Sequence, residues 1–306
     1  MSAQVATVTE PLPNGKAGPI AQHHRTNEVL GVLWRNPRSR FGLILFGIFL
    51  FFTIFGPYLT PYSPYDTQFM FMLPPSAKHL LGTTQSGADV FSQLLYGTRV
   101  SVLVSLAVGA IATFLAMLVG VTAGYVGGWV DDALSFLTNV FLVLPGLPLL
   151  IVLASYVPSA GMSVIVLIVG LTGWPWGART MRAQVSTLRG RDFVTAARLA
   201  GDSLWRILAR EIIPNMLSLV MANFLGAATQ GLLTAVGLEF LGFGNPSQVS
   251  WGSMLYWAEN SSALLMGQWA WILAPGLCIA LFGMSLVFIN FGFDAISNPR
   301  LREESE

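Results

Sequence analysis

The sequence predicts an all-α polytopic membrane protein with six transmembrane helices. Of its 306 residues, 54% are hydrophobic and only 10% are charged, whereas about a quarter of the residues in an average soluble domain are charged. The hydrophobic residues gather in six runs, each close to the ~20 residues that an α-helix needs to cross a bilayer. The formal net charge of +1 offers no electrostatic basis for binding nucleic acid. We therefore expect the lipid bilayer to be a principal partner of this chain.

The six apolar runs define the expected spans and the connections between them. The expected spans cover residues 41–59, 101–125, 133–157, 161–179, 216–240 and 269–292. The chain then divides into a flexible N-terminal tail (1–33), a membrane domain (34–293) and a C-terminal tail (294–306). Longer polar connections within the membrane domain fall at residues 60–98, 180–214 and 243–268.

The basic residues indicate the orientation of the chain. Six spans place both termini on one side of the membrane. Of the 16 Lys and Arg residues, only Lys78 and Arg99 lie in the connections on the opposite side. Because basic residues concentrate on the cytoplasmic side, we expect both termini and the 180–214 connection to be cytoplasmic. The 60–98 and 243–268 connections are then external.

A polar, Arg-rich stretch from Arg189 to Asn215 interrupts the second half of the chain. Its first part predicts a short helix that Asp192 caps. The face at spacing i, i+4 and i+7 consists of Phe193, Ala197 and Ala200. Gly201 then breaks the helix.

A second short helix follows in the same stretch, with Asp202 or Ser203 as its cap. Arg206 and Arg210 lie on one side, and Pro214 closes the unit. The other side is apolar and comprises Leu204, Ile207, Leu208 and Ile212. From these residues two interpretations remain open: a docking element for another protein, or an amphipathic segment lying on anionic lipid.

The sequence lacks the usual residue patterns for binding a nucleotide or a metal. A P-loop needs Gly-Lys followed by Ser or Thr, and the only lysines, Lys16 and Lys78, have no such context. The adjacent His23 and His24 lack a neighbouring Cys or carboxylate cluster, so we expect no metal site. Glu239 is the candidate ionisable residue of the spans, at the outer end of the fifth. It either reaches water at the interface or lines a solute route.

Aromatic, soft and proline residues in the spans and in the 243–268 connection also allow two interpretations. Trp174, Trp176, Met254, Tyr256 and Trp257 either line a route or form interfacial belts. Four prolines permit kinks, which are either purely structural or allow the spans to switch between two arrangements. These are Pro145, Pro148, Pro175 and Pro275.

At the Arg-rich stretch the residues carry a resemblance. TAARLAG, nine further residues and the Pro of Glu-Ile-Ile-Pro resemble the EAA loop of bacterial ABC importer permeases. The family pattern is Glu-Ala-Ala, three residues, Gly, nine residues, an aliphatic pair and Pro. Ala196, Ala197, Gly201 and Pro214 match it in place, while Thr195 replaces the Glu.

The similarity extends along nearly the whole chain to the C-type permeases of dipeptide, oligopeptide and nickel importers. LWRNPRSRFGL, HLLGTTQSGADVFSQLLYGTRVS, LEFLGFG, SWGSML and NFGFDAISNPRL carry it. Thr84, Ala88 and Glu239 depart from the usual Asp, Arg and Ser. With VSWGSMLYWAEN, these departures resemble a subgroup associated with oligosaccharides rather than peptides.

The resemblance implies a type I ABC importer permease fold in the bacterial cytoplasmic membrane. This chain would form half of a pathway for an oligopeptide or oligosaccharide, catalyse nothing and bind no cofactor. Its implied partners are a second six-span permease, favouring a heterodimer, two cytoplasmic ATPases that bind ATP and Mg²⁺, and an extracytoplasmic solute-binding protein. The alternatives are an ion-coupled secondary transporter and a membrane scaffold without a transport role.

Two sets of residues follow as site predictions. The ATPase-coupling set is Asp192, Thr195, Ala196, Ala197, Gly201, Asp202, Arg206, Arg210 and Pro214. The pathway set is Trp174, Trp176, Glu239, Met254 and Trp257.

Overall fold

The computed structural model describes residues 31, 33–34, 36–156 and 161–297, with side chains up to residue 293. Nearly all of the N-terminal tail predicted at 1–33, and residues 298–306 of the C-terminal tail, lie outside the described residues. Within the described ranges the chain forms eleven α-helices, and its only β-pairing is an isolated bridge between Thr83 and Asp89.

The first two helices have well-defined starts. Helix α1 (Pro37–Leu59) begins where the Asn36 side chain accepts a 3.0 Å hydrogen bond from the N–H of Arg38. Helix α2 (Val90–Val126) begins after Asp89, whose carboxylate accepts a 2.8 Å bond from the N–H of Ser92. With 37 residues, α2 is roughly 55 Å long at ~1.5 Å per residue. It can therefore connect the two ends of the molecule.

The third and fourth predicted spans are each broken in two. Helices α3 (Gly128–Val143) and α4 (Gly146–Ser155) meet at 86°. Helices α5 (Met162–Thr172) and α6 (Pro175–Arg189) meet at 40°. The kinks expected near Pro145 and Pro175 are present, and each divides its predicted span into two helices. A proline pushes the preceding residue out of the helical region, and Leu144 is accordingly extended, with φ −65° and ψ 132°.

The Arg-rich stretch forms helix α7 (Asp192–Leu199) and helix α8 (Leu204–Ile207). A π-helical turn (Leu208–Ile212) and a 3₁₀ turn (Ile213–Met216) follow, then helix α9 (Leu217–Phe240). Pro214 was expected to close the second helix, but the helical path continues through it from Leu204 to Phe240. The wide π turn and the tight 3₁₀ turn accommodate the missing N–H and the ring of the proline.

Helices α10 (Trp251–Asn260) and α11 (Trp269–Ser297) complete the described fold. Four helical stretches are long and apolar enough to cross a membrane, and the total rises to six if each bent pair counts as one span. The four stretches are Pro37–Leu59, Val90–Val126, Leu204–Phe240 and Trp269–Phe293.

Helix α2 packs closely against its neighbours through small residues. A Cβ added at Gly109 would lie 2.8 Å from the Ala228 methyl group of α9, and one at Gly120 would lie 2.5 Å from the Ala178 carbonyl of α6. Ser105 donates a 2.7 Å hydrogen bond to the Ala228 carbonyl. Of the small residues in this part of α2, Gly109, Ala112, Ala116 and Gly120 are buried and Ala110 is exposed.

We predict that Gly109→Ala destabilises the protein. The added methyl group would press on the backbone and side chain of Ala228, and overpacking of this kind costs about 1–3 kcal/mol. The measurement is the thermal unfolding midpoint in detergent.

Gly226→Ala is the matched control. Gly226 lies in α9, the helix that faces Gly109, and an added Cβ there meets no atom within 4 Å. That variant should be neutral or slightly more stable, since Gly inside a helix costs roughly 0.5–1 kcal/mol relative to Ala. Equal midpoints for the two variants would contradict the close α2–α9 contact.

Candidate functional site

The two-helix loop, which we define as residues 192–207, is attached to the C-terminal end of α2. Arg198 donates a 3.2 Å hydrogen bond to the Tyr125 hydroxyl, and its guanidinium lies 4.9 Å from the centre of the same ring. Arg189, at the end of α6, donates a 3.4 Å bond to the Val126 carbonyl. The loop therefore cannot shift without also disturbing the end of α2.

The buried side of α7 is formed by Val194. It is fully buried in a cluster with Met181, Val185 and Ile207. On the small-residue face noted in the sequence, Phe193 and Ala200 are exposed and Ala197 is half-buried. Val194, one position after Phe193, fits between α6 and α8, which leaves that face at the surface. Thr195 and Ala196 also face outward.

Gly201 forms the turn between α7 and α8 in a left-handed conformation, with φ +81°. Its N–H donates to the Arg198 carbonyl, and the next N–H, from Asp202, donates to the Ala197 carbonyl. This pair of bonds is the Schellman arrangement that ends many helices. An added Cβ would meet no atom within 4 Å. The requirement for Gly is thus conformational and does not come from crowding.

The polar residues of the loop differ from the predicted capping pattern. Asp192 is the first residue of α7, the cap position is Arg191, and no side-chain hydrogen bond caps the helix. Ser203 occupies the cap position of α8, again without a capping bond. Asp202 instead accepts a 2.8 Å bond from Arg206. This i, i+4 pair partly neutralises Arg206, while Arg210 is exposed.

Two large apolar side chains of the loop point into solvent. Leu199 is 85% exposed and Trp205 is 76% exposed, on either side of the Gly201 turn. Sequence reasoning missed both residues. The available signal was their position beside Arg198 and Arg206, where an amphipathic segment should be polar. Their exposure leaves both side chains available for contact with a partner or with lipid.

Glu239 is in α9 and lies near the N-terminal end of α2. It does not reach water, contrary to the interpretation of this residue as an interfacial one. It is only 7% exposed. Ser250 donates a 2.5 Å hydrogen bond to its carboxylate, and the Ser250 hydroxyl oxygen in turn accepts a 3.0 Å bond from the Ser253 N–H. The donor is thus the cap residue of α10, which no local pattern around Glu239 reveals. A Cβ at Gly252 would collide with the carboxylate.

The remaining predicted pathway residues fall into two separate groups. Met254 and Trp257 of α10 line a cavity of about 570 Å³, which we call the α10 cavity. Trp174 is buried at the start of α6, where it packs on Phe141 with ring centres 5.4 Å apart. Trp176 is exposed on the same helix. The structure thus brings Glu239, Met254 and Trp257 together around α10 and leaves the other two elsewhere.

Comparison with known proteins gives the family. Residues 116–303 match the family described as the inner membrane component of binding-protein-dependent transport systems. The chain belongs to this family. Residues 26–75 also match the N-terminal transmembrane domain of oligopeptide transport permease C.

Individual relatives agree with the family match. The chain is 33% identical over 268 residues to a candidate peptide permease protein of Brucella suis biovar 1, which covers 87% of this chain and 88% of the relative. It is 33% identical over 226 residues to the oligopeptide transport system permease protein OppC of Mycobacterium bovis, covering 73% and 77%. A solved chain of the MetNI methionine ABC transporter aligns with a TM-score of 0.48 at 17% identity, over 67% and 94% of the chains, too distant to bear on function.

Membership of the family answers the main functional questions raised by the sequence. The chain is the permease subunit of an ABC importer and a multi-pass protein of the inner membrane. ATP hydrolysis is carried out by separate subunits, and the importer also works with a solute-binding protein. The comparisons give no support to the ion-coupled alternative.

We predict that Glu239→Ala strongly destabilises the α10 end of the molecule. The variant leaves the buried Ser250 hydroxyl without its acceptor, and a buried unpaired group costs about 1–3 kcal/mol. The thermal unfolding midpoint should fall, and amide hydrogen exchange in α10 should accelerate.

Glu259→Ala is the control, because Glu259 is an exposed carboxylate on the same helix. A surface change of this kind should alter stability by no more than about 0.5 kcal/mol. If the two variants unfold alike, Glu239 does not hold α10 in place.

Proposed function

We propose that the two-helix loop receives the motion of the ATPase and passes it to the transmembrane helices through α2. The observation that carries this proposal is the exposure of Leu199 and Trp205 on a loop that Arg198 attaches to Tyr125. The exposed apolar pair supplies contact area for a partner. The attachment supplies a rigid connection to a helix that runs the length of the molecule.

The residues of the predicted ATPase-coupling set have two different roles in this proposal. Thr195, Ala196 and Arg210 are exposed and available to the ATPase, as is Asp192 at the start of α7. Ala197, Gly201 and Asp202 shape the loop, and the Asp202–Arg206 pair holds the start of α8. Pro214 lies beyond the loop, in the 3₁₀ turn that leads into α9. Because Thr195 stands at the carboxylate position of the family pattern, we infer that apolar contacts contribute more to docking here than an ion pair at that position.

We further propose the arrangement of the chain in the membrane and in the complex. Each bent helix pair counts as one span, which makes six, and both termini and the two-helix loop are cytoplasmic. The distribution of Lys and Arg supports this orientation. A second, related permease completes the pathway as a heterodimer, and two ATPases bind ATP and Mg²⁺. This chain holds no cofactor of its own.

For the solute we propose a short peptide or another oligomer of similar size. The support is that relatives at 33% identity carry names that refer to peptides. The sequence departures at Thr84, Ala88 and Glu239 suggest an oligosaccharide as the alternative solute. The chemistry of the α10 cavity bears on this alternative.

We predict that Gly201→Val uncouples ATP hydrolysis from uptake. A β-branched residue forced into the left-handed region costs about 1–2 kcal/mol or more, so the α7–α8 turn should change shape. In proteoliposomes that contain the whole importer, solute uptake should fall while ATP hydrolysis persists.

Gly190→Val is the matched control, because Gly190 has φ −87° and an added Cβ there meets only the Thr187 carbonyl at 3.9 Å. It should transport nearly as the unchanged protein does. Normal uptake per ATP in the Gly201 variant would overturn the role of this turn.

We predict that Leu199→Asp weakens association with the ATPase. A charge in the centre of an apolar contact loses the buried area and adds a desolvation cost, so recovery of the ATPase by copurification from detergent should drop several-fold, roughly in line with 1–3 kcal/mol.

Leu265→Asp makes the same change at a similarly exposed leucine, which lies between α10 and α11. That control should recover the ATPase normally. Unchanged recovery with Leu199→Asp would instead place this face of the loop against lipid.

A further inference from the structure

The α10 cavity lies at the end of α2 opposite the two-helix loop. Its walls come from the connection before α2, the connection after α9, helix α10 and the first turn of α11. Its volume of about 570 Å³ falls within the roughly 300–1,000 Å³ of typical small-molecule sites. The cavity could therefore hold a solute segment of two or three units.

The wall of the cavity is uncharged. Among its described lining residues there is no Asp, Glu, Lys, Arg or His. Hydroxyl and amide side chains provide its polar surface, and three aromatic residues, Tyr65, Trp257 and Trp271, contribute to its walls. The ammonium and carboxylate termini of a free peptide would find no opposite charge here, and they would lose hydration on entry.

One donor at the cavity has unused hydrogen-bonding capacity. Gln85 accepts a 2.6 Å bond from Ser261 through its carbonyl oxygen, and no hydrogen bond within the described part of the chain uses its amide nitrogen. Gln85 is exposed, so this amide is open to a solute. Trp271 contributes only its ring to the wall, because its indole N–H is buried away from the cavity space.

The aromatic wall is held in a fixed orientation. The Trp257 indole N–H donates a 2.9 Å bond to the Pro246 carbonyl. The Tyr65 ring packs edge-on against the Tyr96 ring, with ring centres 5.7 Å apart. A preorganised aromatic surface binds a ring or an amide plane without the cost of ordering side chains first.

We propose that the α10 cavity binds an uncharged, hydrogen-bonding segment of the transported solute, recognised by its hydroxyl or amide groups. This inference rests on the proposed import function and specifies its substrate chemistry. Two sources share that chemistry: a sugar ring, and the interior amides of a peptide. The charged ends of the solute remain outside the cavity.

The test uses the full chain in lipid nanodiscs, without ATPase, and measures probe binding by saturation-transfer NMR. The probes are cellotriose, N-acetyl-trialanine amide and free trialanine. At least one neutral probe should bind about tenfold or more tightly than zwitterionic trialanine, a difference of ~1.4 kcal/mol. Binding of cellotriose alone identifies a sugar source, and binding of the blocked peptide identifies a peptide source. No saturable binding of either, or equally tight binding of trialanine, overturns the proposal.

Matched substitutions connect the binding to the cavity. Trp257→Ala removes an accessible aromatic wall residue and should weaken binding about threefold to tenfold, the effect of one lost aromatic contact. Trp269→Ala is the control, because Trp269 is also an exposed tryptophan but does not line the cavity. It should leave affinity nearly unchanged, and an equal loss in both variants would contradict the proposal.

A second pair of variants keeps the proposal testable if the tryptophan variants misfold. Gln85→Ala at the exposed edge of the cavity should weaken binding, whereas Gln68→Ala, an exposed glutamine of the same connection outside the cavity, should not. Equal affinities would exclude the Gln85 amide as a ligand contact. Because these experiments contain no ATPase, their failure is distinct from failure of the coupling proposal, which copurification and uptake measure.

Discussion

The structure depends on the close approach of α2 to α6 and α9. Between membrane helices the hydrophobic effect gives no net attraction, so association relies on contact between backbones and on interhelical hydrogen bonds. Gly109 and Gly120 leave space that Ala228 and Ala178 occupy, and the Ser105 hydroxyl binds the Ala228 carbonyl. Backbone contacts of this kind allow little movement of one helix relative to another. They make α2 and its two neighbours a stiff unit on which the rest of the chain is arranged.

Each end of this unit carries a polar attachment with a different purpose. At the C-terminal end of α2, Arg198 on Tyr125 fastens the two-helix loop. At the N-terminal end, Asp89 caps the helix and also binds His79 at 2.9 Å, which anchors the preceding connection. A displacement of the loop therefore acts on a rigid element that extends to the region of the α10 cavity, which is the physical condition for coupling between distant sites.

The sequence predicted those features that depend on local chemistry. Apolar run length located α1, α2 and α11, proline positions indicated the breaks at Pro145 and Pro175, and the spacing around Gly201 pointed to a turn that has a positive φ. Features that depend on tertiary packing could not be predicted from the sequence. The buried face of α7 depends on how Val194 fits against α6, and the helical path through Pro214 depends on a π turn that no propensity indicates.

Glu239 illustrates why burial of a charge cannot be read from its own neighbours in the sequence. An acidic residue at the end of an apolar run suggests an interface with water, yet its hydrogen-bond partner is the cap residue of a helix that starts twelve residues later. Only a glycine at position 252 leaves space for the carboxylate. Because the same helix presents Met254 and Trp257 to the α10 cavity, the position of that wall depends on the Glu239 contact. A residue first considered as a lining group thus acts as a support, and it controls the cavity through the helix that it holds.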